Sequence, residues 1–375
     1  MENAQHFETL AIRRFRGFSA LDLDRLGSFN LFVGANDVGK TSVLEAIFLL
    51  SSVANLHLPI RIQNWRQYLV DDFEELSPLF HNIDVDASVT LAAHSGQERR
   101  TLAISAPYQQ TAIDMETQRA ASRTNGKASD TRSDDGAGSQ SSSSTPSGLR
   151  ALRYDATVQR ATEADPISVS GTLVDRGEKW EVVSEPGSAA DTTIPAAFLP
   201  ARLGYDPDTI GDVIVGKKTG ELLKYLRVVN PQVEQIAVRG TVAYLDIGLA
   251  RMIPLNMFGS GMVRAAAILG SAIARDVRII LIDEIEYGLH YSAIPALLRT
   301  LLAVSAEGRM QVSVTTHSLD VLRALQAVLS EAPYARYQPT AVCYALERDA
   351  GGSVRPYRYD YDQFEHCVVG GMEIR

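Results

Sequence analysis

One stretch constrains the fold more than any other. An apolar run able to form a buried strand, Asn30 to Val33, feeds the loop Gly34-Ala35-Asn36-Asp37-Val38-Gly39-Lys40-Thr41, and an apolar helical pattern from Val43 to about Val53 follows at once. The two glycines let the backbone wrap an anion closely, with successive N–H groups converging on it at the positive end of the helix. This strand, loop and helix together read as a P-loop, which implies a nucleoside triphosphate ligand. Lys40 is placed to reach the β- and γ-phosphates, and the Thr41 hydroxyl to serve a Mg²⁺ ion bridging them. Gly34, Asn36, Gly39, Lys40, Thr41 and Ser42 form the expected nucleotide-binding set.

A second aliphatic run, Val277 to Ile282, has the unbroken character of a strand covered on both faces, and it ends in Asp283-Glu284. Downstream of a P-loop, the first carboxylate at such a strand end holds the Mg²⁺ shell, and the next orients or deprotonates the attacking water. Asp283 takes the first role and Glu284 the second. His317, in Thr315-Thr316-His317-Ser318, follows the next strand, where an imidazole can hydrogen-bond the γ-phosphate or the water. Catalysis is accordingly assigned to Glu284, His317 and Lys40, and the metal to Thr41 and Asp283. Glu286 and His290 either line the site or shape the turn.

The remaining pattern predicts an α/β protein: a P-loop NTPase with a mostly parallel core sheet and an antiparallel β-lobe. Strands are expected at 7–12, 88–93, 100–106, 156–159, 167–174, 180–183, 233–238, 242–247, 311–315, 340–347 and 353–359. Helices are expected at 208–228, 262–274, 292–306 and 319–329. From about Thr117 to Ser147 the composition collapses to Ser, Gly, Asp, Thr and Asn, which cannot bury enough apolar surface to order itself. The expected organisation is an N-terminal part of the ATPase head over 1–116, a disordered insertion over 117–150, inserted strands and a helical lobe over 151–230, and the C-terminal part of the head over 231–375. The net charge of −9 argues against coating of nucleic acid by the whole surface but leaves room for a local basic groove. Cys343 and Cys367 have no metal spacing, and no apolar run reaches the length of a membrane span, so a cytoplasmic protein with no membrane partner is expected.

Taken in order, RFRGF, GANDVGKTS, NMFGSG before a helix, IILIDEIEYGLH, TTHS and a terminal GGMEIR resemble the ABC-type ATPases of the SMC, RecF and OLD kind, and especially the OLD-type ATPase domain. The resemblance implies two ATPase heads that sandwich two ATPs, each P-loop facing the other head's signature glycines. Gly259, Ser260 and Gly261 would then contact the γ-phosphate in trans, with either Gly259 or Ser260 matching the family serine. His290 stands where the family has an aspartate, and Gln63 and Gln67 are the candidates for the family's Q-loop glutamine. There is no heptad run for a coiled-coil arm and no guanine-specifying NKxD string, so ATP is the expected nucleotide.

These features lead to an ATP-dependent switch that dimerises on ATP, or forms a higher oligomer, and hydrolyses it to control a partner or a nucleic acid. OLD nucleases carry a Toprim domain after the ATPase. Too few residues follow Tyr361 for such a domain, so a separate effector such as a Toprim nuclease is expected, in the setting of phage defence. The pairs Asp22/Asp24, Asp84/Asp86 and Asp360/Asp362 have metal-like spacing but read as solvated turns and a helix cap. A RecF-like DNA repair ATPase is the alternative. A transporter ATPase subunit fits the RFRGF start and the DEIEYGLH loop poorly.

Overall fold

A computed structural model describes residues 7–66, 70–107, 151–175, 179–184, 192–202, 204–274, 277–306, 310–372 and 374. Gln67 and the low-complexity stretch from Thr117 to Ser147 lie outside the described residues.

The molecule is organised around a six-stranded sheet. Its strands are β3 (Phe29–Gly34), β9 (Ala196–Leu199), β13 (Ile279–Ile282), β14 (Gln311–Thr315), β15 (Ala341–Arg348) and β16 (Val354–Tyr359), in the order β16-β15-β3-β14-β13-β9. All neighbours are parallel except the β15–β16 hairpin. Every residue of β3, β13 and β14 is buried, because both faces are covered. Phe32 and Leu281 point into one core with Val43, Leu44 and Ile47 of α1 (Lys40–Ser51). Leu31, Val33, Ile280 and Ile282 point into the other, against α5 (Ser260–Ile273), α6 (Ile294–Ala306) and α7 (Leu319–Ser330).

A seven-stranded antiparallel sheet packs over the first core. It comprises β1 (Thr9–Phe15), β2 (Phe18–Leu23), β4 (Val89–Ser95), β5 (Glu98–Ser105), β6 (Ala151–Arg160), β7 (Ile167–Asp175) and β8 (Trp180–Ser184), in the order β2-β1-β4-β5-β6-β7-β8. The sequence boundary drawn at 150/151 therefore divides one continuous sheet, since β5 pairs with β6 from Glu98↔Arg160 to Ser105↔Arg153. Arg100, almost wholly buried on β5, fastens this sheet to the P-loop helix: its Nη1 donates to the carbonyls of Leu50 (3.0 Å) and Ser51 (3.2 Å) at the end of α1. A guanidinium there satisfies orphan carbonyls and complements the negative end of the helix.

The helical segment expected over 208–228 is two helices, α3 (Pro207–Val215) and α4 (Thr219–Val229). The chain breaks because the Gly216 N–H closes α3 onto Asp212 O and Lys217 then turns into the left-handed region at φ 57°. The sequence reading has no counterpart for α2 (Leu58–Trp65), for the edge strand β9 or for the short pieces Ile253–Pro254 and Ala332–Ala335. A small sheet of β10 (Gln235–Arg239), β11 (Val242–Asp246) and β12 (Ile253–Pro254) precedes α5. Asp360 caps the last helix, α8 (Tyr361–Val369), by accepting from Gln363 N in a capping box. Asp22 and Asp84 pair with Arg13 and Arg14. Among the described residues no cluster of three or more His, Cys, Asp or Glu could hold a metal, and no helix is long and apolar enough to cross a membrane.

Candidate nucleotide site

The P-loop leaves β3 through Gly34 at φ 145° and enters α1 through Gly39 at φ 109°, conformations that side chains resist. Space is as restrictive as φ. A Cβ at Gly39 would lie 2.5 Å from the Phe18 ring, and one at Gly34 would lie 2.5 Å from Leu346 O. The phenylalanine of the RFRGF segment thus buttresses the loop from the antiparallel sheet.

Lys40 lies back across the loop, donating from Nζ to the carbonyls of Gly34 (2.7 Å) and Ala35 (2.8 Å). Burial lowers its pKa, while Asp283, Glu284 and Glu286 pull the other way. Thr41 donates through Oγ1 to Asp283 Oδ1 (2.8 Å), and Thr315 Oγ1 donates to the same oxygen (2.7 Å). Thr315 also accepts the Glu284 N–H (2.8 Å), and its carbonyl accepts from Ile285 N. One hydroxyl on β14 therefore fixes both the Asp283 carboxylate and the Glu284 backbone, which sits at φ 47°. A left-handed glutamate is a strained position that the surrounding bonds must enforce.

These groups open on a cavity of about 570 Å³ lined by Asn36, Gly39, Lys40, Thr41, Ser42, Asp283, Glu284 and Thr315 together with Arg16 and Arg66. That volume falls in the usual range for small-molecule sites, roughly 300–1,000 Å³. The Thr41 hydroxyl and Asp283 carboxylate form a hard oxygen pair suited to Mg²⁺, which commonly takes one or two protein ligands and completes its shell with phosphate and water.

His317 lies beside this group rather than in the cavity lining. Its backbone N–H donates to Glu286 Oε1 (3.1 Å), its Nδ1 is 3.2 Å from the same oxygen, and the side chain is 47% exposed. Glu286 Oε2 is buried with no hydrogen-bond partner among the described residues. His290 turns away to cap the following turn, accepting from Ser292 N. Gln63 is buried, with Oε1 accepting from Arg16 and Nε2 donating to Glu75 O.

Gly259, Ser260 and Gly261 do not line the cavity. They start α5, with Gly259 and Ser260 exposed, and pack on the loop that follows Glu286: a Cβ at Gly261 would lie 2.5 Å from Gly288 O. Arg264, one turn into α5, is buried and donates to the carbonyls of Pro200 (2.6 Å), Leu199 (3.3 Å) and Asp283 (2.6 Å). Burial pushes its pKa down to about 10, against the pull of Asp283, Glu284 and Glu286, so it remains charged at neutral pH. Arg16 and Thr315 lie within the RFRGF and TTHS strings without a role assigned to them from sequence, and Arg66 and Arg264 stand in no motif.

The profile of the family described as "AAA domain, putative AbiEii toxin, Type IV TA system" matches residues 29–323, from β3 into α7. The chain belongs to this family. The matched span carries the P-loop, the strand that ends at Asp283-Glu284 and His317. An ATP/GTP phosphatase of Helicobacter pylori is 29% identical over 120 residues, which cover 30% of this chain and 32% of that protein. The DNA replication and repair protein RecF of Acinetobacter baumannii is 44% identical over 69 residues, 18% of each chain. The aligned part thus spans about a third or less of these curated relatives. Among solved structures, the Smc head domain with an extended coiled coil bound to the C-terminal domain of ScpA, derived from Pyrococcus furiosus, aligns over 97% of this chain and 99% of its own at 7% identity and a TM-score of 0.49. The SMC head domain from Thermotoga maritima aligns over 95% and 99% at 11% identity and a TM-score of 0.40.

Proposed function

We propose that this family member is an ATP-driven switch in which two heads close on ATP and part after hydrolysis. The observation that carries the reading is the convergence of Thr41 and Thr315 on one oxygen of Asp283, with the adjoining Glu284 held over the same cavity as Lys40. Lys40 and the backbone N–H groups of the P-loop hold the phosphate chain. Thr41 and Asp283 would hold Mg²⁺, which would supply positive charge against that developing on the transferred phosphoryl group. Glu284 orients the attacking water and accepts its proton, and His317, steadied by Glu286, donates to the γ-phosphate.

The exposure of Gly259 and Ser260 at the start of α5 supports a partner head as the second wall of the site. Met257, two residues before Gly259, adds apolar surface that is 76% exposed. The solution mass of Glu284→Gln with and without ATP and Mg²⁺ is the test. ATP should convert monomer to dimer, and an unchanged monomer across a wide concentration range would refute the sandwich.

The output is a conformational signal to a separate effector, for which the OLD resemblance points to a Toprim-type nuclease, a cytoplasmic setting and phage defence. The RecF relatives favour a second reading, in which the ATP-bound dimer holds DNA. Duplex DNA binding measured with Glu284→Gln separates the two: retention only with ATP supports the RecF-like reading, and none supports a protein effector.

A further inference from the structure

Arg16 and Arg66 of the cavity lining belong to a cluster that the phosphate-transfer chemistry alone does not explain. Glu45, one turn beyond Thr41 on α1, has a side chain only 2% exposed, yet two guanidinium groups share it. Arg16 Nε donates to Oε2 at 2.9 Å and Arg66 Nε donates to Oε1 at 2.7 Å. Arg16 also donates from Nη1 to Gln63 Oε1 at 2.7 Å, and Gln63 is itself anchored on Glu75 O at 2.6 Å. The three charged residues come from three separate places in the chain: the turn between β1 and β2, the P-loop helix, and the end of α2.

Three observations show that the cluster is incomplete as it stands. Two cations share one anion, so the cluster carries a net positive charge, and while Arg66 is partly open to water, Arg16 and Glu45 are buried, where an uncompensated charge is costly. Arg16 Nη2 is buried with no hydrogen-bond partner among the described residues, where a buried donor ordinarily finds an acceptor. Both arginines line the same cavity as Lys40, Thr41 and Ser42. An anion placed there would take the unused donors and balance the charge.

We propose that Glu45 is a positioning residue for the nucleotide, a buried brace that holds Arg16 and Arg66 against the phosphate side of the cavity. The inference rests on the nucleotide-site reading above. It extends that reading to a residue which touches neither nucleotide nor metal and acts only through its two arginines. A carboxylate is the group the geometry requires, because each of its oxygens accepts from a different guanidinium. Glutamine presents only one acceptor and sets an N–H against the second arginine. Aspartate, one methylene shorter, cannot span both.

The test compares full-length wild type with Glu45→Gln, Glu45→Asp and Arg66→Lys, measuring affinities for ATP, ADP and AMP and steady-state ATP hydrolysis. Folding is checked by the thermal midpoint without nucleotide. The expected result is an ATP affinity about tenfold weaker in Glu45→Gln, a smaller loss for ADP and little change for AMP, with the effect in KM more than in kcat. Combining Glu45→Gln with Arg16→Lys should add little to either alone, because both break the same brace. If Glu45 merely packs α1, the midpoint falls while the ATP-to-AMP affinity ratio stays at the wild-type value, and the proposal is overturned. It is equally overturned if ATP affinity is unchanged in folded Glu45→Gln. Failure of wild type to bind ATP, or equal binding by Lys40→Ala, would instead refute the nucleotide-site reading on which the proposal stands.

Discussion

The cavity at the P-loop and the start of α5 differ in how far this chain completes each of them. At the cavity, groups from the P-loop, α1, β14 and the end of β13 bond to one another within the same chain: Thr41 and Thr315 on Asp283, Glu284 N on Thr315, Lys40 on Gly34 and Ala35. At the start of α5, Gly259 and Ser260 face solvent and Met257 projects beside them. The contrast is that the groups proposed for catalysis are held in place by the fold of one chain, while the surface proposed to meet a second head stays open. Arg264 joins the two regions, since it leaves the helix that begins with Ser260 and ends on the carbonyl of Asp283.

The largest effects should come from breaking the closed region. Glu284→Gln should lower kcat about 100-fold or more, the scale of losing a general base, while ATP binding persists. Lys40→Ala should lose binding as well. Wild-type turnover by Glu284→Gln would transfer the role of base to Glu286 or His317. Next comes the open region. Met257→Asp changes only an exposed side chain, so ATP should still bind each head, but the ATP-dependent rise in solution mass should vanish and hydrolysis should fall about tenfold, near 1.4 kcal/mol in barrier. If mass and rate both survived, the dimer would use another face.

Smaller effects sharpen the link between the two. Thr315→Val keeps the shape of the side chain but removes the hydroxyl shared by Asp283 and the Glu284 N–H, and kcat should drop by about fivefold to tenfold, on the order of the cost of one unsatisfied buried donor. A larger KM at unchanged kcat would mean that Thr315 serves Mg²⁺ and ATP binding instead. Arg264→Lys keeps the charge yet cannot reach at once the three carbonyls at the ends of β9 and β13. It should lower stability by about 1–2 kcal/mol in denaturant titrations, with a modest loss of turnover. Destabilisation without any change in kcat would limit Arg264 to fastening α5 onto the sheet.

The sequence alone determined the parts of this protein whose physics is local. Strand, loop and helix at 30–51 follow from an apolar run, two glycines that tolerate positive φ, and helical periodicity, all within about twenty neighbouring residues. The same holds for the buried strand that ends at Asp283 and for β14 before His317. The strand β9 escaped because Ala-Ala-Phe-Leu is too short to show a period, and only its parallel pairing with β13 makes it a strand. The separation of α3 from α4 turned on one left-handed lysine. What tertiary structure decided are contacts between residues with no spacing in common: Arg16, Glu45 and Arg66 around one buried carboxylate, Thr315 between Asp283 and Glu284, Arg264 across to β9 and β13, and Phe18 against Gly39. No one-dimensional pattern marks such partners, because a buried charge is stable only where chain closure brings its counter-charge and acceptors to it, and that closure is set by how the two sheets stack.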